Sequence, residues 1–304
     1  MDFLNNLLSQ IVMYTAIYSL SSLGIVIGGR TGIFNISGEG TMLSAASIGF
    51  AVAYFTNSWI VGFVAGAIVG AIFAGILVYV HESLKVNQFI IGIALVIFGS
   101  GLSDLIYKLI FGVQLFIPEA PPVTQVTIPG ISSIPVLPAF LNQNLMVYFT
   151  YAVTFAAYYI FYKTRLGLNL RAIGEDPRAA DVVGINVKKA RYLTSIIGGA
   201  LIGISGTYLP LVITGTYTSG ITNGRGFMAI GIAIFASWRP ERTLLGAFIF
   251  AAIEVIAFRT QLSSQVIPYH FLLMMPFIAL LLIMMIFRKK VEFPAALGKP
   301  YSRE

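Results

Sequence analysis

The sequence predicts an all-α protein, a polytopic membrane helix bundle of about nine spans (roughly eight to ten), with at least one helix short or broken. Three observations carry that expectation. Apolar runs of about 20 residues, the length an α-helix needs to cross the hydrocarbon core, recur along the whole chain. Charged residues make up 10 % of the 304 and hydrophobic types 57 %, whereas a soluble domain carries roughly a quarter charged residues. The basic residues, finally, fall into alternate loops between the runs. The longest stretch between runs is about 30 residues, so 1–304 is expected to be one transmembrane domain with no soluble domain appended.

Taken in order, the apolar runs place spans at 7–27, 39–55, 59–80, 89–111, 145–162, 192–213, 227–237, 243–258 and 271–287. Ahead of Leu7 stands Asp2 and no Lys or Arg. A secretory signal wants a basic start and a small-residue cleavage site, so the first run reads as a retained span. The seventh run is short, and its upstream flank, 216–226, is rich in Gly and Thr, which predicts a broken helix there. With no cysteine in the chain, disulfides and thiolate metal sites are excluded. His81 and His270 stand far apart and suggest no metal or catalytic cluster.

Orientation follows from where Lys and Arg fall. With the N-terminus outside, the inner loops hold Arg30, Lys85, Lys163, Arg165, Arg171, Arg178, Lys188, Lys189, Arg191, Arg239, Arg242, Arg288, Lys289, Lys290, Lys299 and Arg303, which is 16 of the 19 basic residues. Lys108, Arg225 and Arg259 fall on the outer side. The longest outer loop, 112–144, has six prolines from Pro118 to Pro138 and no Lys or Arg. The C-terminal tail, 288–304, is then cytoplasmic. The +7 net charge is thereby an inner-face topology signal, and nucleic-acid binding has no place in the account; the surrounding partner is a lipid bilayer.

Several patterns bear on packing and on a solute path. Gly62, Gly66, Gly70 and Ala74 recur every four residues, and Gly199, Gly203 and Gly206 form a similar stripe. Such stripes let a neighbouring backbone approach closely and predict a bundle rather than a function. Gly38-Glu39-Gly40 after the first span and Gly224-Arg225-Gly226 after the sixth form a weak repeat, one expected at the inner side and one at the outer. That is the pattern of an inverted repeat with paired broken helices, which border the substrate path in transporters. Polar groups at membrane depth are costly. Asp104 and Lys108 are four apart and placed to pair, and Glu254 and Arg259 read as a structural or interfacial set. Asn35, Glu39, Asn87, Gln88 and Asn223, with Phe227 beside them, are the candidates for the path.

The inner loop 163–191 is the most informative. Glu175 and Asp176 precede Pro177, a helix-start signal, and Gly184 is a helix-stop signal; the spacing predicts a helix over 177–183 in a basic loop. Here the residues resemble a family. The run Arg171, Gly174, Pro177, Ala179, Ala180, Gly184, Asn186 looks like the coupling-loop signature of ABC importer permeases of the branched-chain amino acid/ribose-type superfamily. In the same order as in that family come Thr31 to Gly40, Leu84 to Gln88, Gly224 to Phe227, and Trp238-Arg-Pro240, so the likeness covers roughly 28–240. The combination most resembles nucleoside (guanosine-type) and simple-sugar permeases. Ser37 stands where the family usually has Gly.

The resemblance implies a non-catalytic permease subunit that moves a nucleoside or simple sugar by alternating access. Cytoplasmic ABC ATPases would dock on Glu175, Asp176, Pro177, Arg178, Ala179, Ala180, Asp181 and Gly184 and bind the ATP and magnesium. The chain itself has no Gly-x-x-x-x-Gly-Lys-[Ser/Thr] run and is expected to hold no cofactor. An extracytoplasmic substrate-binding lipoprotein would deliver the solute, and a second, related permease would complete a heterodimer rather than a homodimer in a prokaryotic cell membrane. Two other readings stand beside it. One is an ion-gradient transporter coupled through Glu39, Asp104 or Glu254. The other is an intramembrane enzyme, which would need a nucleophile and base to converge in space.

Overall fold

The computed structural model describes residues 2–112, 118–128, 136–263, 269–287 and 292–302. Pro129, Pro135, Arg288, Lys289, Lys290 and Arg303 lie outside the described residues. Twelve α-helices are described: α1 (Asp2–Gly29), α2 (Gly38–Thr56), α3 (Trp59–Leu84), α4 (Gln88–Phe111), α5 (Leu137–Leu141), α6 (Leu145–Lys163), α7 (Arg165–Glu175), α8 (Pro177–Val182), α9 (Val187–Tyr208), α10 (Arg225–Phe235), α11 (Pro240–Ser263) and α12 (Tyr269–Phe287). Six of them, α1, α3, α4, α6, α9 with its extension, and α11, are long and apolar enough to cross a membrane; α10 and α12 are shorter apolar helices.

α1 and α9 lie at the centre. α1 is buried along most of its length and packs on α9, α10 and α11, while α9 packs on α1, α2 and α3. Glycines set the α9 contacts. A Cβ on Gly203 would collide with the Gly66 carbonyl of α3, one on Gly198 with Gly24 of α1, and one on Gly206 with Met42 of α2. The expected stripe of Gly66 and Gly70 thus meets Gly199 and Gly203, whereas Gly206 serves a different neighbour. α9 continues into a π-helical turn, Leu209–Ile213, that contains Pro210. Proline has no N–H to give an i→i−4 bond, and the wider turn closes instead through Thr214 N to Leu209 O, 3.1 Å.

α4 serves as a ruler for two irregular segments. At its first residue, Gln88 Oε1 accepts from Phe34 N (3.0 Å). Further along, Ser44 of α2 donates to Gly99 O (3.0 Å) and Ser47 to Ser103 O (2.9 Å), and the Phe50 ring packs on Tyr107 and Phe111. Segment 30–37 therefore climbs part of α4 before α2 begins at its middle. Segment 214–224 descends from the opposite end: the Tyr217 ring packs at a tilt on Tyr107 (4.7 Å between centroids) and Ser219 donates to Asp104 (2.7 Å). α10 then runs beside the second half of α1, from Tyr18 at Met228 to Arg30, whose Nε donates to Trp238 O (2.6 Å). α10, with 11 residues, is a short helix, whereas α2 has 19; both start inside the bundle and run to opposite ends. The broken seventh span is as expected, with α10 starting two residues earlier. The two Gly-x-Gly motifs, expected on opposite sides, instead touch each other, because each motif follows a segment that has already climbed half the bundle.

The loops divide between two ends of the bundle. Arg30, Lys85, α7, α8, the start of α9 and the tail 292–302 cluster at one end. The start of α1, the described parts of 112–144 and segment 214–224 gather at the other, where Ala120 N donates to Gly215 O and Gln143 to Ser9. This matches the grouping of loops that the charge pattern implied.

Candidate functional site

Glu39 lies in the first turn of α2, and its carboxylate reaches across to the start of α10. Oε1 accepts from Thr222 Oγ1 (2.5 Å) and Gly224 N (2.9 Å), and Oε2 from Gly226 N (2.7 Å). The group is buried, at 7 % exposure. Two helix N-termini meet here, each carrying roughly half a positive charge from its dipole, and one carboxylate faces both. A Cβ on Gly226 would strike the Glu39 backbone, so the motif glycine is what allows the approach. Asn35 supports the junction, its Oδ1 accepting from Ser37 N (3.0 Å) and Ser37 Oγ (2.7 Å).

Beside the junction, α1, α10, α11, α12 and the segment from Leu209 to Asn223 enclose a cavity of about 860 Å³, within the size range of small-molecule sites. Its walls are mostly apolar. At its floor Arg225 pairs with Glu254 (2.5 Å), and Tyr18 donates to the other Glu254 oxygen (2.5 Å). The Arg225 guanidinium lies over the Tyr14 ring, 5.6 Å from its centroid. Gln10, Thr218, Asn223 and Gln261 add polar groups to the lining. A neutral, hydrogen-bonding solute with a flat face suits such a wall. Glu254→Ala would leave the largely buried Arg225 without its ion partner, and breaking such a pair costs up to about 3–5 kcal/mol. The expected result is a lower melting temperature of the purified protein and loss of transport; unchanged values for both would remove the pair from the account.

At the end of the bundle that carries the basic loops, Asp176 caps α8, accepting from Arg178 N (2.9 Å) and Ala179 N (3.1 Å). Pro177 is the first helical residue, and Gly184 closes the helix with φ +87°. Along α8, Arg178 and Ala179 are exposed and Ala180 is buried against Ile173, Val187 and Tyr301. Val182 is 87 % exposed and Val183 75 %. Val182 at the end of α8 and Val183 just after it together form an exposed apolar knob.

Residues 7–286 match the family described as the branched-chain amino acid transport system permease component. The chain belongs to that family. It is 35 % identical over 87 % of its length to 80 % of a Haloferax volcanii protein named as a glucose ABC transporter permease. To the guanosine ABC transporter permease protein of Bacillus subtilis it is 32 % identical, over 97 % of both chains. Its fold resembles that of PsaBC from Streptococcus pneumoniae, solved in complex with Fab, with a TM-score of 0.50 at 14 % identity, covering 94 % of each chain. The protein is thus a multi-pass membrane permease, the non-catalytic subunit of an ABC transporter, and the ion-gradient and intramembrane-enzyme readings fall away.

The structure distributes the permease's path candidates over four places. Asn35 and Glu39 meet at the helix junction, with both Glu39 oxygens already accepting. Asn223, with φ +44°, lines the cavity. Gln88 is buried at the start of α4 against segment 30–37, Asn87 is the exposed N-cap of α4, accepting from Phe89 N (2.8 Å), and Phe227 is 46 % exposed on α10 outside the cavity lining. The expected charge pairs are corrected. Glu254 pairs with Arg225 rather than standing with Arg259, which donates to Gln10 (3.0 Å). Asp104 accepts from Ser219, and among the described ion pairs Lys108 is not its partner. Arg225, placed in an outer loop from the sequence, sits inside the bundle because segment 214–224 carries it there. Tyr14, Tyr18, Val182, Val183 and α7 were not anticipated. The Tyr14/Tyr18 spacing puts both rings on one face of α1, and the Val182-Val183 pair in a charged loop was a visible signal.

Proposed function

We propose that the permease moves a nucleoside of the guanosine type, or a simple sugar, inward by alternating access around the α2/α10 junction. The observation that carries this is the meeting of two helix N-termini, each preceded by an irregular segment from an opposite end of the bundle, beside a solute-sized cavity, an arrangement that suits a site exposed to each side in turn. The names of the relatives support the solute class. In this reading nine segments cross the membrane, α2 and α10 each completing a crossing with its extended segment. The N-terminus faces outward, and the end bearing the basic loops faces the cytoplasm. Cytoplasmic ATPases dock on 163–191 with α8 as the coupling helix, a related permease chain completes a heterodimer, and a substrate-binding lipoprotein delivers the solute to the cavity mouth.

The deciding experiment is uptake into proteoliposomes holding the permease co-expressed with its neighbouring ATPase, permease and binding-protein genes. ATP-dependent import of radiolabelled guanosine or glucose that survives an uncoupler is expected; import without ATP would overturn the reading. Val182→Asp tests the docking helix in the same preparation. Fully burying a valine side chain contributes about 1.5–3 kcal/mol, and the aspartate would put an unpaired carboxylate in its place. ATPase retained on a permease affinity column should therefore fall by more than about tenfold while the permease keeps its melting temperature. Full retention would place the docking surface elsewhere.

A further inference from the structure

The tail 292–302 does not hang free. Ala296 N donates to Gly174 O of α7 (2.8 Å), and Gly298 N donates to Gly32 O in segment 30–37 (2.9 Å). Lys299 O accepts from Arg191 Nη1 (3.0 Å), Tyr301 N donates to Glu82 Oε2 (3.3 Å), and Lys85 Nζ donates to Tyr301 O. The Tyr301 ring packs on Ile173, Ala180 and Val187, and its hydroxyl donates to Asp181 Oδ2 on α8 (2.8 Å). Beneath the tail, Arg191 and Glu82 form an ion pair with both side chains fully buried, and Arg191 Nε donates to Thr31 O (2.8 Å). Gly174, a coupling-loop residue, is thus pinned from above by the tail and from below by Arg30, whose carbonyl a Cβ there would strike.

These contacts form one unbroken route. It starts at Asp181 on α8, passes through Tyr301 to Glu82 and Arg191, and from there to Thr31 and Gly32. Segment 30–37 then leads directly into Glu39 and the α2/α10 junction. α8 itself is only six residues long, too short to hold its position alone, and its capping bonds tie it to its own loop and not to the bundle. Its ties to the bundle include packing on α7 and on Val187 of α9 and, by a hydrogen bond to a carboxylate, the tail.

We propose that the tail is a strap that positions the coupling helix, with Tyr301 as its positioning residue, and passes displacement of α8 to segment 30–37 and so to the cavity. This rests on the reading of α8 as the ATPase docking helix and of the cavity as the alternating-access vestibule. Buried ion pairs and packed elements move as units, because close-packed interiors are not continuously deformable. A strap of this kind makes the junction respond to α8 rather than letting α8 slide on the surface of the bundle.

The chain has no cysteine, so Thr218→Cys gives a single thiol at the cavity wall. Its labelling by a membrane-impermeant maleimide reports opening of the cavity in reconstituted complex without needing the solute. A non-hydrolysable ATP analogue is expected to change the labelling rate in the otherwise wild-type chain. In Tyr301→Phe, losing one hydrogen bond to a carboxylate is expected to reduce that response by about tenfold, with ATPase retention and ATP hydrolysis preserved. Asp181→Ala combined with Tyr301→Phe should be no worse than either alone. A full response in Tyr301→Phe overturns the strap. So does failure of Tyr301→Phe to assemble with the ATPases, which would make the tail a structural brace. Loss of ATPase from the wild-type chain, by contrast, overturns the docking reading, and a wild-type chain without any nucleotide response takes both down.

Discussion

Glu39→Ala is expected to abolish transport and to lower the melting temperature of the purified permease more than any other single polar substitution in the bundle. The carboxylate accepts three hydrogen bonds, two from backbone N–H groups and one from Thr222. Hydrogen bonds to charged groups contribute roughly 1.5–3 kcal/mol each, and removing the acceptor leaves the donors buried without it. Two helix dipoles also lose the negative charge that faces them. Glu39→Gln separates these contributions. Its oxygen can still serve Thr222 and Gly224, but its amide would face the Gly226 N–H, donor against donor, and the charge is gone. An intermediate melting temperature is expected for it. Glu39→Asp is one methylene shorter and should behave more like alanine than like glutamine. A wild-type melting temperature for Glu39→Ala would show that the α2/α10 junction is held by packing alone, and the carboxylate would then be free for another role.

What was legible in the sequence was local, and what was missed was remote. α8 was placed to within a residue because its signals lie within ten positions: Asp176 as cap, Pro177 at the first helical position, Gly184 at the end. The long spans were legible because length and apolarity are set by the bilayer. α7 was not, since Arg165–Glu175 mixes charged and apolar residues and reads as loop unless its amphipathic spacing is weighed. The Glu39 junction was half legible. The repeated Gly-x-Gly motif marked both helix starts, but Glu39 and Gly226 lie 187 positions apart, and no local rule says that two such motifs touch. Their meeting depends on how far segments 30–37 and 214–224 travel along α4, a tertiary property. The same holds for Arg225. Its sequence neighbours are Gly and Thr, which read as an exposed loop, while its real partners, Glu254 and Tyr14, come from α11 and α1. Glu254 and Arg259 looked like partners only because they are close in sequence; on α11 they are five apart and point to different neighbours.

Gly203→Ala is the second large effect, and it asks what a single methyl does at the centre of the bundle. A Cβ at Gly203 would collide with the Gly66 carbonyl oxygen and lie 2.9 Å from its carbon and 3.0 Å from Gly70 N. Those are backbone atoms of α3, so no rotamer change relieves the clash and the two helices must move apart. Separation propagates, because Gly70 meets Gly199 and Ala74 meets Gly199 along the same seam. Helix association in lipid rests on close packing rather than on a hydrophobic driving force, so the lost contact is not recovered elsewhere. Overpacking typically costs about 1–3 kcal/mol, and a clash against backbone belongs at or beyond the upper end. Gly75→Ala is the matched control. It lies on the same helix as Gly70, yet a Cβ there meets nothing within 4 Å, and replacing a mid-helix glycine by alanine should stabilise by roughly 0.5–1 kcal/mol. The expected outcome in detergent is a sharp fall in melting temperature for Gly203→Ala and no fall for Gly75→Ala. Equal behaviour of the two would mean that α3 and α9 are not in backbone contact. The centre of the fold would then need another explanation, because α9 is also the helix that carries Arg191 at its start and the π-turn beside the cavity at its end.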